Sequence, residues 1–243
     1  MSTEDKETAT EYPKAEKRGL NELALFAGAG GGILGGRLLG WRTVCAVEIY
    51  PFCREVLLRR QMDGCLPKFP IWDDIRTFDG KPWRGKVDVV SGGFPCQAWS
   101  NATRGRNKGE DMWPQMLRIV GEVEPKIVFS ENVDEGAILM AQKDLADCGY
   151  KTIRCKISAA DMGADHHRPR WWILAHTYNK GKLFGAINAK VGLLTEFRLR
   201  IWEAKPDESR ISNGMAYRMD QLKAIGNGQV PAVVRLAWSV LTQ

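Results

Sequence analysis

Three groups of residues in this chain have the types and spacing to do chemistry. The first is in "GGFPCQAWS" (92–100), where Cys96 follows the apolar run "VDVVS" and a proline. Pro95 fixes its own φ and pushes Phe94 toward extended backbone, so the thiol is presented from a rigid turn. A packed structural cysteine needs no such mount; a nucleophilic thiolate does. The second is Glu131, a carboxylate closing another apolar run in "VFSENV", a setting where glutamate seldom lies without a partner or a task. The third is the glycine loop "FAGAGGGILGG" (26–36), in which Gly30–Gly35 satisfies G-x-G-x-x-G, with Glu48 roughly twenty residues on. Such a loop lets backbone approach a nucleotide while an acid from the next strand bonds a ribose hydroxyl. Nicotinamide dinucleotides and S-adenosylmethionine share that arrangement, and the loop alone leaves them tied. The mounted thiol favours the methyl donor, because hydride transfer has no use for it. His166 and His167 are adjacent, with no cysteine or carboxylate at ligand spacing, so no metal site is expected.

These residues need elements to hold them. "NELALF" is a short buried strand running into the glycine loop, and "ILGGRLLG" is a helix. "RTVCAVEI" is a second strand, and "PFCREVLLRRQ" opens with proline at a natural first helical position. "FPIWDDI" is a weak third strand, "KVDVVSGG" a fourth, "WPQMLRIVGEV" a helix and "PKIVFSEN" a fifth strand. "AILMAQKDLADCGY" is a helix closed by Gly149, followed by strands "KTIRCKIS" and "RWWILAHT" and a final helix from Pro231. Strands alternating with helices predict a doubly wound, mostly parallel α/β sheet. Ligands in such sheets sit at the carboxyl ends of the strands. The glycine loop, Glu48, Asp74, Cys96 and Glu131 all fall there, although the strands were read from apolar runs alone.

The 243 residues suffice for one substantial core, and no apolar run reaches the length of a membrane span. The first 18 residues are polar and are expected to form a disordered tail. Six cysteines without CxxC or framework spacing point to a reducing cytoplasm. Net charge is +6, and residues 177–218 hold eight lysines and arginines against four acidic residues. That balance suits a polyanionic partner.

Taken together, "FAGAGG" (26–31), "GFPCQ" (93–97), "ENV" (131–133), "RPR" (168–170) and "GNGQVP" (226–231) resemble, in order, the motifs of the DNA (cytosine-5)-methyltransferases. The resemblance spans Leu23 to Pro231 and implies a Rossmann-like class I methyltransferase fold with an antiparallel edge hairpin. It also implies methyl transfer from S-adenosylmethionine to cytosine C5 in double-stranded DNA. Cys96 is then the nucleophile on C6, Glu131 the partner of N3 and the exocyclic amine, and Arg170, with Arg168, the holder of O2. Phe26, Ala27, Gly28, Gly30, Glu48, Ile49, Asp74, Ile75, Pro95, Asn227 and Gly228 form the implied cofactor set. The target base must leave the duplex stack to be reached. The polar stretch from Ala98 to Trp113 reads as a closing lid, with Arg104, Arg106 and Lys108 for phosphates and Gln97 and Ser100 for the target nucleotide.

The chain departs from the family pattern at Ala24, where an aspartate is usual, at Tyr50, where another often stands, and at His166, in place of a frequent glutamine. The implied organisation is a tail (1–18), a catalytic domain (19–176), a reduced target-recognition segment (177–218) and a returning C-terminal motif and helix (219–243). Only about fifty residues separate the arginine pair from GNGQVP. Lys180, Lys182, Arg198, Arg200 and Arg210 are there to meet DNA, and a recognition sequence of about two to four base pairs follows. A monomer is expected. An RNA cytosine-5 methyltransferase, acting on transfer RNA, and a non-catalytic DNA-binding module are the alternatives.

Overall fold

The computed structural model of the protein describes residues 19–95, 110–164, 167–177, 220, 223–224 and 226–242. A seven-stranded sheet runs through them in the order β3-β2-β1-β4-β5-β7-β6. The strands are β1 (Asn21–Leu25), β2 (Arg42–Val47), β3 (Ile71–Trp72), β4 (Val89–Gly93), β5 (Ile127–Asn132), β6 (Lys151–Ile157) and β7 (Arg170–His176). β3, β2, β1, β4 and β5 pair in parallel, while β7 lies antiparallel between β5 and β6. The expected antiparallel edge hairpin is therefore present, with β6 outermost.

Among the described residues, the helices that cover the sheet are α1 (Gly31–Leu38), α2 (Pro51–Met62), α3 (Trp113–Val123), α4 (Glu135–Asp147) and α5 (Pro231–Leu241). On one face, Leu23, Leu25, Val90, Val128 and Ile173 meet Met116, Ile119, Ile138 and Leu145 of α3 and α4. On the other, Val89, Ile127, Phe129 and Trp172 pack on α5, and Ala24 and Ala46 on Ile33 of α1 and Leu57 of α2. Alternation along a strand produces this division, since residues two apart share a face. All six residues of β5 are buried, as expected of a strand covered on both sides.

Local chemistry sets the helix ends. Pro51, Pro114 and Pro231 stand in the first turns of α2, α3 and α5, where the missing N–H costs nothing. Asp134 caps α4 by accepting from the Ala137 N–H at 3.0 Å. Gly149, at φ 86°, ends it, with Gly149 N–H on the Ala146 carbonyl and Tyr150 N–H on that of Leu145. The third strand is the main departure from expectation, two residues long where seven were expected. Trp72 is exposed, Asp73 is in a bend, and Asp74 opens a turn closed by Thr77 N–H on its carbonyl. Among the described residues, no helix is long and apolar enough to cross a membrane.

Candidate active site

The sheet order reverses between β1 and β4, and the carboxyl ends of these two strands bound the crevice where α/β proteins bind ligands. β1 ends in a turn under strain: Phe26 takes φ 51°, a left-handed conformation unusual for an aromatic residue. Gly28 and Gly30 follow at φ 55° and 93°, and Gly30 stands at the head of α1. The loop is tied down by Ala27 N–H on the Val47 carbonyl at 3.1 Å and by Gly28 N–H on Glu48 Oε2 at 2.6 Å. Glu48 Oε1 accepts from the Tyr50 N–H at 2.7 Å. Each oxygen keeps a lone pair for a further donor, such as a ribose hydroxyl. Phe26, Ala27 and Gly28 line a recess together with Ser91, Asn227 and Gly228. The five motif residues among these come from opposite ends of the chain.

The rest of the expected cofactor set is absent from the lining of this recess. Glu48 and Gly30 adjoin it through the loop. Ile49 is 57% exposed, and its carbonyl accepts from Arg54. Asp74 is engaged by Arg76 at 2.8 Å, which holds its carboxyl below the usual range. Ile75 is buried, with its carbonyl on Arg118. Pro95 is exposed, and its carbonyl accepts from Met112 N–H at 3.3 Å.

A second recess adjoins the first and is lined by Glu131, Arg168, Arg170, Trp172 and Gln229. Glu131 belongs to the same sheet face as Ile127 and Phe129, four and two residues before it. It is 7% exposed and paired with Arg170, Nε to Oε1 at 2.9 Å. Burial raises its carboxyl above the ordinary 4.5. The charge of Arg170 opposes that rise most, then the Gln229 amide and the charge of Arg168. Arg168 turns elsewhere, donating from Nη2 to the carbonyls of Gly226 and Gly228 at 2.7 Å each. The arginine pair thus divides its work: Arg170 meets the acid, and Arg168 clasps the GNGQVP segment beside it.

The expected nucleophile, Cys96, lies outside the described residues, as do Gln97, Ser100, Arg104, Arg106, Lys108, His166, Lys180, Lys182, Arg198, Arg200 and Arg210. Its mount is described. The carbonyl of Phe94 accepts from Asn132 Nδ2 at 2.9 Å, and the Phe94 ring packs on Trp113 with centroids 5.0 Å apart. Gly93 pairs with Glu131 across β4 and β5, so the chain leaves β4 beside the acid. Among the described residues, no three His, Cys, Asp or Glu side chains gather as a metal site.

Sequence reasoning passed over Asn132, Gln229 and Glu22. Asn132 and Gln229 stood inside quoted motifs, next to or near singled-out residues, and that adjacency was their available signal. Glu22 is 1% exposed and accepts from Thr43 Oγ1 at 2.7 Å and Ser91 Oγ at 2.6 Å. It shares a strand face with Ala24, two residues before the lost aspartate, and Ser91 joins it to the glycine-loop recess.

Comparison with known proteins agrees with this geometry. The profile described as "C-5 cytosine-specific DNA methylase" matches residues 20–223. The Type II methyltransferase M.NgoMIV of Neisseria gonorrhoeae is 32% identical over 162 residues, 61% of this chain and 49% of that protein. M.CviJI of Paramecium bursaria Chlorella virus IL3A is 28% identical over 90% of this chain and 58% of its own. The chain spans about half the length of these relatives. Among solved structures, the S. pombe Dnmt2 methyltransferase superposes with TM-score 0.53 at 24% identity, covering 66% of this chain and 52% of its own, which shows a shared fold. With the profile covering most of its length, the chain belongs to the C-5 cytosine-specific DNA methylase family.

Proposed function

We propose that the protein methylates C5 of cytosine in double-stranded DNA, using S-adenosylmethionine and a covalent adduct through Cys96. The observation that carries this reading is the buried Glu131–Arg170 pair beside the glycine-loop recess, with β4 ending against Glu131 two residues before Pro95.

The cofactor fits the residues present. Glu48 offers carboxylate oxygens to ribose hydroxyls, left-handed Gly28 opens the backbone, and Phe26 and Asn227 wall the recess. When bound, S-adenosylmethionine supplies the methyl group. The chain's own residues prepare the acceptor. The Cys96 thiolate adds to C6 of a flipped-out cytosine, forming the S–C6 bond as the C5=C6 π pair moves toward C5. Charge also builds on N3, and Glu131 answers it with a proton, which its buried carboxyl retains more readily than an exposed one. Arg170, held by Glu131, presents its remaining N–H groups to O2. Loss of the C5 proton after methyl transfer returns the electron pair to the ring and expels Cys96 as thiolate.

Residues 19–176 and 219–243 make up the catalytic part in this reading. Residues 177–218 are the reduced target-recognition segment, supplying Lys180, Lys182, Arg198, Arg200 and Arg210 to DNA. The test is bisulfite sequencing of DNA from a methylation-free bacterial host expressing the chain, beside Cys96→Ala. Protected cytosines that depend on Cys96 are the expected result. Full conversion in both samples rejects DNA as the substrate, and the same assay on transfer RNA then examines the alternative polymer.

A further inference from the structure

We propose that Gln229 is a positioning residue that joins the glycine loop to Glu131 and sets the protonation of that acid. The proposal rests on the reading of Glu131 as the acid of the reaction. Gln229 lines both recesses, the one bounded by Phe26 and Asn227 and the one holding Glu131 and Arg170. Its Nε2 stands 3.5 Å from Glu131 Oε2, at the outer limit of a hydrogen bond, while Arg170 Nε occupies Oε1 at 2.9 Å. Oε2 is thus the oxygen left to carry the proton offered to a base, and Gln229 is its neighbour.

The fit around Gln229 is close on both sides. A Cβ at Gly31 would fall 2.0 Å from the Gln229 carbonyl oxygen, and one at Gly32 would fall 2.3 Å from its Oε1. The first turn of α1 therefore has room for Gln229 because two glycines stand there. At the other end, a Cβ at Gly93 would lie 2.7 Å from Glu131 Oε2 and 3.2 Å from Gln229 Nε2. Three glycines from two elements make the space in which this amide meets the carboxylate. With Oε1 against α1, the amide is oriented so that its N–H group, rather than its oxygen, faces Glu131. Arg168 reinforces the placement by gripping the carbonyl of the preceding Gly228. The charges acting on Glu131 from the described residues are Arg170, which opens β7, and at longer range Arg168, two residues before it; β4 and α1 present glycines. Gln229 is the neutral donor on Oε2, and removing it leaves the buried carboxylate with less to offset desolvation.

The test is a 13C titration of the Glu131 carboxyl in full-length protein labelled at glutamate, with the resonance identified by its loss in Glu131→Gln. Gln229→Leu is expected to raise the midpoint by about half a pH unit or more. Gln229→Glu keeps the side-chain shape, places a second carboxyl beside Oε2, and is expected to raise it further; it decides the matter should Gln229→Leu fail to fold. This readout needs no DNA, so it decides the role of Gln229 even if bisulfite sequencing rejects the proposed reaction. In turnover, Gln229→Leu is expected to lower kcat about tenfold, to change cofactor affinity less than about threefold, and to move the alkaline limb of the pH profile upward. A midpoint that stays put in the folded variants overturns the proposal. Weakened cofactor binding with an unmoved midpoint also overturns it, by assigning Gln229 to the wall of the cofactor recess alone.

Discussion

Glu131 and Glu22 are both buried acids, and their surroundings give them different consequences. Glu131 has a cation at 2.9 Å. Arg170→Gln keeps a donor but removes that charge, so burial raises the carboxyl further, and the contact to a developing negative charge on the base weakens. Methyl transfer should fall about 10²–10³-fold, with its alkaline limb displaced upward; a loss confined to DNA affinity would contradict the assignment. Glu22 accepts from two hydroxyls, and burial lifts its carboxyl from 4.5 to about 7. The folded state therefore binds a proton that the unfolded chain has released between those values. Stability from this group is complete below pH 4.5 and is lost as pH rises through about 7, a cost of about 3 kcal/mol at alkaline pH. Glu22→Gln can satisfy the same hydroxyls without charge. Urea unfolding should find it close to the native chain at pH 5 and more stable at pH 8, and parallel pH slopes for the two proteins would remove the explanation.

At the scale of elements, the critical joint is where β4 leaves the sheet beside β5. Asn132 holds it from two sides, donating to the Phe94 carbonyl and accepting from the Asp134 N–H at 2.9 Å each. Asn132→Ala should cost about 1–3 kcal/mol in stability, because it orphans a buried carbonyl, and should slow adduct formation at Cys96 by loosening Pro95. Trapping with duplex DNA carrying 5-fluorocytosine measures that step. An unchanged trapping rate in folded Asn132→Ala would show that the mount is held by other contacts, such as Phe94 on Trp113. Much of this architecture is legible in the chain. α3 and α5 have the ends expected from "WPQMLRIVGEV" and "PAVVRLAWSVL", since proline marks each start and the apolar spacing of α3 is helical. β3 is less legible because Phe69, Pro70 and Ile71 suggest a strand, while Asp74 closes a turn that cuts it short. Gln229 and Glu22 act through partners 98 and 69 residues away, and no local pattern announces such contacts.

For the molecule as a whole, the proposed reading separates the chemistry and the recognition of DNA along the chain. The cofactor recess is built from residues near β1, the end of β4 and Asn227–Gln229. The basic excess proposed to meet DNA lies in residues 177–218, of which only Thr177 is among the described residues. Substituting Lys180, Lys182, Arg198 and Arg200 together by alanine should therefore leave cofactor affinity within about twofold while weakening DNA binding. If each side chain neutralises one phosphate, the slope of log affinity against log salt should become shallower by about 3–4. A short segment also reads few base edges, so methylation maps should show about two to four specified positions, each substitution relaxing affinity for all sequences alike rather than redirecting it. Maps with six or more fixed positions would place recognition beyond the reach of this segment. An unchanged salt slope would move the phosphate contacts to Arg104, Arg106 and Lys108, leaving the segment at 177–218 to act through base edges alone.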